Sequence, residues 1–373
     1  MPAVSFTLLI DGSPASPQVM DVLQQIEVED HAEMADILRL TLAVGVKENG
    51  SGWNVLDDGL FQRLSGIKVR VNVGSAAEPL IDASVIETSA DFSNEPGRSV
   101  LMVVAMDPSV LMNLEEKVRP WPDMADSDIA SAIFGEYGFT PQVEQTQPSR
   151  QEVNLTTIQR GTDIQFLRQL ALRNGYECYL ETNPQGEQPI AHFHKPRLEQ
   201  SAQGVLSVNM GQVTNVNKFK ARYDMLRPTT AQANGLDIET RSDQPAQVES
   251  LSLRGLGKAP SLGGDRPRKV LLSQTGLAET GELQALAQAV ADRSGWAITA
   301  EGGLNTVAYG GVLRAKRPVE VRGAGRQFSG TYYVEKVLHT LRGDEYTQRF
   351  TLRRNALGLS GQERFVEDRA LPS

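Results

Sequence analysis

Strict two-residue alternation of apolar and polar side chains recurs along this chain and constrains its fold more than any other feature. Val4, Phe6, Leu8 and Ile10 alternate with Ser5, Thr7 and Leu9 before an Asp11-Gly12 turn. Leu38, Leu40, Leu42 and Val44 alternate with Arg39, Thr41 and Ala43, and Ile67, Val69, Val71 and Val73 with Lys68, Arg70 and Asn72. Successive side chains of a strand point to opposite faces, so each run buries one face and wets the other, as in an antiparallel sheet. Residues 85–89 and 99–107 add two strands. The segment 1–107 is therefore expected to be a small β-sandwich or barrel, with a variable loop near 47–53.

From Pro108 the period changes. Pro120 and Pro122 punctuate an expected linker. Asp126 is expected to cap a short helix carrying Ile129, Ile133, Phe134 and Tyr137, stopped by Gly138. Thr162 with Gln165 three residues on has the form of a capping box, in which each side chain satisfies a free amide of the first turn. Ile164, Phe166, Leu167, Leu170 and Ala171 form the apolar stripe, Arg173 lies in the last turn, and Gly175 ends the helix. Both helices read as cap, Asp-Ile, apolar stripe, Gly-aromatic, then a strand. That is a local repeat of two copies and not a solenoid. Strands are expected near 142–144, 176–181, 190–194 and 213–223. Residues 227–270 read mostly as loop with short strands, and 279–294 as a helix with Leu283, Leu286 and Val290 on one side. The pattern then returns to β over 304–355, with tight turns at Gly323-Ala324-Gly325 and Gly343-Asp344. In the last strand Tyr346, Phe350 and Leu352 alternate with Thr347, Arg349, Thr351 and Arg353, which predicts one wet face.

The chain has 373 residues, enough for two or three domains, and 22% are charged. A net charge of −9 and the absence of a basic tract argue against nucleic acid as the main ligand; 314–317 and Arg353-Arg354 are the densest cationic stretches. A single cysteine, Cys178, excludes a disulfide framework within one chain, and its Tyr and Leu neighbours predict a buried hydrophobe. The N-terminus lacks the form of a signal peptide, and no apolar run approaches the ~20 residues of a membrane span. Folding and assembly in a bacterial cytoplasm are expected.

Tyr332-Tyr333-Val334-Glu335-Lys336-Val337-Leu338-His339, then Gly343, Tyr346-Thr347-Gln348-Arg349-Phe350 and Arg353-Arg354-Asn355 resemble the closing signature of the phage late control protein D family. The runs Asp126-Ser127-Asp128-Ile129-Ala130 and Thr162-Asp163-Ile164-Gln165-Phe166-Leu167 resemble its two central helices. These proteins are baseplate hubs of contractile phage tails, type VI secretion spikes and extracellular contractile injection systems. The resemblance implies an α+β, mainly β fold: two tail-tube-like antiparallel β-barrels with an interposed α/β region and a helical insertion. On that reading, 1–107 is the first barrel and 108–205 the α/β region. The second barrel is 206–240 with 295–357, 241–294 is the insertion, and 358–373 is the tail. A structural role follows: a homotrimeric ring adapting a sixfold inner tube to a threefold spike. Its partners would be itself, the tube protein, a separate spike protein and other baseplate proteins, with no cofactor or metal. The alternatives are a tail-associated peptidoglycan hydrolase and a carbohydrate-binding β protein. The first lacks a visible catalytic pair, and the second would need more aromatic side chains for stacking on sugars.

The signature residues Tyr333, His339, Tyr346, Arg353 and Asn355 are expected to be barrel-end and interface groups. His339 has no Ser or Cys nucleophile motif beside it. His192 and His194 fall on one strand face, as some metal ligands do, but no further ligand lies nearby in sequence, so a structural role is favoured. Gly255-Leu256-Gly257 and Gly323-Ala324-Gly325 lack the continuation of a phosphate loop and read as turns. Asp57-Asp58 and Glu115-Glu116 read as solvated loop faces. Trp121 and Trp296 are expected at inter-subunit contacts. In the tail, Phe365, Val366, Arg369 and Leu371 either belong to a disordered terminus or anchor on the spike or tube.

Overall fold

The computed structural model describes residues 4–47, 50–74, 76–95, 97–146, 156–185, 188–236, 243–263, 266–272, 280–343 and 345–365. The alternating runs become strands of one 13-stranded sheet. Its main path runs Val216–Tyr223, Ile298–Asn305, Glu345–Arg354, Gly330–Arg342, Leu23–His31, Ile37–Ala43, Val100–Met106, Ala76–Asp91, Gly66–Val73, Val4–Ile10 and Ser13–Pro14. Every pairing along this path is antiparallel. Off the path, Pro318–Arg322 pairs with Gly330–Arg342, and Val205–Ser207 lies parallel to Pro318–Arg322. The fold is α+β and mainly β, as expected.

The sheet contains a topological repeat that sequence inspection does not reveal. In the N-terminal unit the chain-order strands are Leu23–His31, Ile37–Ala43, Gly66–Val73, Ala76–Asp91 and Val100–Met106, and their spatial order is first, second, fifth, fourth, third. The C-terminal unit has Val216–Tyr223, Ile298–Asn305, Pro318–Arg322, Gly330–Arg342 and Glu345–Arg354 in the same spatial order. The irregularities also coincide. A register shift at Leu23/Gln25 matches one at Val216/Lys218, and one at Val85/Glu87 matches one at Val334/Lys336. β-Bulges re-aim a strand and raise its twist, so two shared bulges give the units the same local bends.

Each unit has its own apolar cluster. One is built on Leu38, Leu40, Leu42, Ile67, Val69, Val71 and Val103, the other on Ile298, Leu304, Val319, Val321, Tyr332, Val337 and Phe350. The units are fused edge to edge, with Lys336 opposite His31 through to Leu341 opposite Ile26. Val312, Leu341 and Tyr346 from the C-terminal unit also pack into the N-terminal cluster.

Residues between the two units build a layer against the sheet. Helices Asp126–Glu136 and Asp163–Asn174 cover a three-stranded sheet of Glu177–Glu181, Ile190–His194 and Thr140–Val143 around Ile133, Phe134, Leu167 and Phe193. The Thr162 hydroxyl accepts from the Gln165 amide and Gly175 (φ +70°) closes the second helix, as its sequence requires. The first helix differs from expectation. Its N-cap is Ala125, and the Asp126 carboxylate instead binds Arg173 and Asn174, tying the two helices together. The expected linker is also a strand: Glu116–Trp121 pairs with Thr157–Thr162 and carries Pro120 on a two-stranded ribbon, where the missing amide interrupts no wider ladder.

Thr229–Leu236, which the expected boundary at 240 places in the second β unit, pairs instead with Asp243–Val248 and Arg268–Leu272. Helix Thr280–Gly295 packs on these strands through Leu283, Ala287 and Ala291 against Ala231, Ala233, Ala246 and Val248. Small side chains on both faces allow close approach.

Candidate functional site

The chain's polar interior concentrates where the two sheet units and the α/β layer meet. The segment 314–317, dense in cations, threads through this junction. Arg314 Nε lies 3.1 Å from Asp30 Oδ2 and its Nη1 donates to the Leu80 carbonyl at 3.1 Å. Lys316 Nζ reaches Asp30 at 2.7 Å and both Asp36 oxygens at 3.0 Å. Arg317 projects the other way, to Glu181 of the α/β layer at 2.7 Å. Lys316 holds a left-handed backbone (φ +68°), a conformation that costs a non-glycine residue energy and persists where surrounding contacts over-determine it. Its amide donates to Val334 and its side chain to two buried aspartates, which supply those contacts.

The two aspartates respond differently to burial. For Asp30, burial would raise the pKa, but Lys316 and Arg314 overcome it and hold the carboxyl below its usual range. For Asp36, burial dominates the opposing Lys316, Asp30 and Asp107 add repulsion, and the carboxyl is pushed up to about 7. Asp36 is further fixed by the His31 amide at 2.9 Å, and its own amide donates to Asp107 at 2.7 Å.

The signature residues lie in this interior. Arg353 Nη2 donates to Glu177 at 2.6 Å and Nη1 to Glu33, and its guanidinium lies 4.6 Å from the Trp296 ring and 5.2 Å from the Tyr333 ring. Tyr333 donates its hydroxyl to the other Glu177 oxygen at 2.6 Å. Burial pushes Glu177 up to about 7 against the pull of Arg353. The last strand's expected wet face is thus covered at Arg353 by the α/β layer. Arg354 is fully buried and donates to the carbonyls of Leu256, Ser329 and Gly358 at 3.0, 2.9 and 2.5 Å. Asn355 clamps the Leu256 amide and the Arg254 carbonyl, each at 2.9 Å. The 255–257 turn is therefore a seat for the last strand: a Cβ on Gly257 would meet the Arg354 guanidinium at 2.6 Å. His339 is buried with Nδ1 2.8 Å from the Tyr346 hydroxyl, and burial with nearby Arg314 lowers its pKa to about 3.

His192 and His194 do share a face. Their Nδ1 and Nε2 atoms are 3.1 Å apart, Tyr179 stacks on His192 with ring centroids at 4.5 Å, and His194 Nδ1 donates to the Lys195 carbonyl at 2.7 Å. Burial lowers both, His194 to about 4. Among the described residues no cluster of three or more His, Cys, Asp or Glu could hold a metal. Burial pushes the Cys178 thiol up to about 12. Asp36 and Glu177, both shifted toward neutrality by burial, anchor Lys316 and Arg353 through hydrogen bonds. Glu320 is also raised by burial and accepts from the Arg364 amide.

Trp121 and Trp296, expected at subunit contacts, are each 4% exposed within the chain. Trp121 donates to Gln159 and lies under Arg119, while Trp296 packs on Arg353. Asp58 is as expected an exposed loop residue, paired with Lys47. In the tail, the Phe365 carbonyl accepts from Arg322 at 3.2 Å and the Arg364 amide donates to Glu320 at 2.7 Å, so residues up to 365 lie on the chain's own sheet. Val366, Arg369 and Leu371 lie outside the described residues. The network at 30, 36, 314 and 316 has members distant in sequence, and only the cationic density at 314–317 marks it there.

A family model described as the Alg8 N-terminal domain matches residues 1–343. No curated protein matches. Among solved structures, a tail protein from Neisseria meningitidis MC58 has a TM-score of 0.66 at 10% identity, with 95% of this chain and 97% of that one covered. A 43 kDa tail protein of prophage MuSo2 from Shewanella oneidensis has a TM-score of 0.63 at 13% identity, over 94% and 98%. The E. coli c3393 protein, a component of the type VI secretion system, has a TM-score of 0.58 at 10% identity, over 98% and 80%. The fold is therefore one found in phage tail proteins. No helix among the described residues is long and apolar enough to cross a membrane.

Proposed function

The chain belongs to the Alg8 N-terminal domain family, and from this premise and the repeated sheet unit we propose that it is the structural baseplate hub of a contractile injection particle. In this reading it resembles the hubs of the late control protein D family. Three copies form a ring that joins a sixfold inner tube to a threefold spike carried by another protein. The observation that carries the reading is the duplication. Two units with the same strand order and the same bulges in one chain let three copies present six near-equivalent faces. The buried clamp at 30, 36, 314 and 316 supports it, because it fixes the second unit against the first and so sets the angle between successive faces. Assembly in the bacterial cytoplasm, attachment of the tail around Phe365 to the spike or tube side, and contacts to further baseplate proteins belong to the same proposal. The work is done by geometry, without chemistry.

Co-expression with the tube and spike proteins of the same particle, followed by electron microscopy, tests this. The expected result is a ring with threefold symmetry seated between tube and spike. A chain that stays outside that complex and is recovered only as a compact monomer would overturn the reading, as would clearing of a peptidoglycan suspension by the purified protein.

A further inference from the structure

The internal repeat makes one strand edge in each unit the counterpart of an edge already paired inside the chain. Within the chain, the second half of Gly330–Arg342 extends beyond its partner Pro318–Arg322 and pairs with Leu23–His31. Its counterpart Ala76–Asp91 behaves the same way. Residues 76–84 pair with Gly66–Val73, and 86–91 continue past that strand with Val100–Met106 on one side only among the described residues. All of 86–91 is exposed on both faces. The counterpart of Leu23–His31 is Val216–Tyr223, which ends the sheet and pairs only with Ile298–Asn305 among the described residues.

We propose that these two edges are the two halves of the interface between neighbouring copies of this chain: 86–91 of one copy pairs antiparallel with Val216–Tyr223 of the next. The pairing deepens the hub reading and takes from it the number of copies.

The bulges fix the register. Glu87 occupies the place of Lys336 and Lys218 that of Gln25, each immediately after the irregularity. Transferring the internal pairing of Thr340 with Glu27 and His339 with Val28 then sets Asp91 opposite Lys220 and Ala90 opposite Ala221. The faces of the resulting ladder are compatible. On one, Asp91 lies opposite Lys220 and Ser89 opposite Arg222, while Glu87 falls opposite Asp224 and diagonal to Arg222; Glu87, Ser89, Asp91, Lys220 and Arg222 are all exposed. On the other, Thr88 and Ala90 meet Tyr223 and Ala221, with Phe92 (54% exposed) beside Phe219.

An ion pair inside the chain supports the register. Lys336 and Glu29 are bridged at 2.9 Å across the internal junction. Their counterparts are Glu87 and Arg222, so the same diagonal contact is available with its charges exchanged. Arg222 already lies 3.8 Å from Asp224, so Asp224 and the neighbour's Glu87 would share its guanidinium. Charge also selects the partner. Two copies of the Val216–Tyr223 edge bring Lys218, Lys220 and Arg222 together, and two copies of the 86–91 edge bring Glu87 and Asp91 together, so each edge repels itself and accepts the other. A head-to-tail contact of this kind propagates until it closes into a ring. It also covers the two open edges that would otherwise invite nonspecific strand addition.

The experiment uses the full chain. Directly opposed residues in an antiparallel ladder are ~4.5–5.5 Å apart at Cα, within disulfide reach. Under oxidation the variant carrying both Ala90→Cys and Ala221→Cys should therefore give covalent oligomers that close at three copies, while Ala90→Cys with Lys218→Cys, offset along the strand, should not. Independently, Lys220→Glu or Asp91→Lys alone should weaken self-association roughly tenfold or more, and the two together should recover most of it. The wild-type mass in solution separates the two readings. Oligomers that ignore both reversals and resist the Ala90–Ala221 bridge overturn the proposed edges while leaving the hub reading intact. A chain that is neither oligomeric nor bridged at high concentration, and joins no tube or spike, overturns both.

Discussion

Lys316 is a severe test of how the junction is held, because its ammonium lies between two carboxylates that have left water. Replacing it with methionine keeps the length of the side chain but removes the cation. Breaking a buried ion pair from one side costs roughly 3–5 kcal/mol, since the abandoned charges stay buried. Lys316→Met should therefore shift the denaturant midpoint strongly at high pH, and part of the loss should return on acidification, because without the ammonium that opposed its rise the Asp36 carboxyl takes up a proton more readily than in the wild type. A loss under about 1 kcal/mol would show the cluster to be no tighter than a surface pair. His339 gives the opposite sign. Its pKa is lowered to about 3 by burial, so between pH 6.5 and that value the unfolded chain binds a proton the folded chain does not. Stability contributed by a neutral His339 is whole above pH 6.5 and is lost as pH falls. Asp36 and Glu177, both raised to about 7, work against this trend, since the folded chain holds their protons over the same interval. The comparison of wild type with His339→Asn cancels them. Relative to the variant, wild type should lose up to ~1.4 kcal/mol per pH unit on acidification from 6.5. Parallel unfolding curves for the two proteins between pH 7.5 and 5 would rule out the histidine as the source. None of these partners is legible from spacing: Asp30 and Lys316 are separated by 286 positions, and the basic density at 314–317 gives no hint of which acids it meets.

Among the elements, what could be read from sequence is what alternates cleanly. Ile37–Ala43 and Gly66–Val73 sit one face in a single apolar cluster, so their period survives in the sequence. Leu23–His31 alternates only at Ile26 and Val28, then places Asp30 and His31 in the interior, where two polar side chains resemble a loop. The Asp163–Asn174 helix is legible because its Thr162 cap and Gly175 stop are local, whereas the destination of Asp126 is not, because Arg173 is 47 residues away. The repeat is hidden in the sequence for a further reason: its packing is compensated rather than copied. Leu40 opposite Val103 in the first unit corresponds to Gly302 opposite Phe350 in the second, so the same volume is filled from the other strand. Gly302 has no room for a side chain: a Cβ would collide with the Lys218 carbonyl and the Phe350 ring. Gly302→Ala should cost roughly 1–3 kcal/mol, the usual penalty of overpacking. The loss should appear first as faster amide exchange in Val216–Tyr223, the strand whose backbone must move. Unchanged protection of that strand would mean the alanine is absorbed on the Phe350 side instead.

On the scale of the molecule, the question is whether the two units are domains on a string or one body. Each unit builds most of its own apolar cluster, which favours independence. Against this stand a continuous ladder from Lys336–His31 to Leu341–Ile26, the 314–317 segment pinned on Asp30 and Asp36, and the Arg353–Glu177 pair that binds the last strand to the α/β layer. Opening the units apart would expose an unpaired strand edge on each side, uncover Val312, Leu341 and Tyr346 from the first cluster, and break the Asp30–Arg314, Asp30–Lys316 and Asp36–Lys316 pairs. Losing all of these at once exceeds the narrow margin on which a β unit stays folded. Unfolding should therefore be a single event. Variants retaining only Trp53, only Trp121 or only Trp296 place the reporter in the first unit, the α/β layer or the base of the insertion. Each carries two Trp→Phe substitutions. Once referred to its own far-ultraviolet dichroism, each should give a fluorescence transition coincident with loss of secondary structure. If Trp53 reports a transition displaced from that of Trp296, the units are separable and the clamp does not set the angle between their faces. The same measurement on Lys316→Met should then be the case in which the transitions part, because the ladder remains but its electrostatic pin is gone.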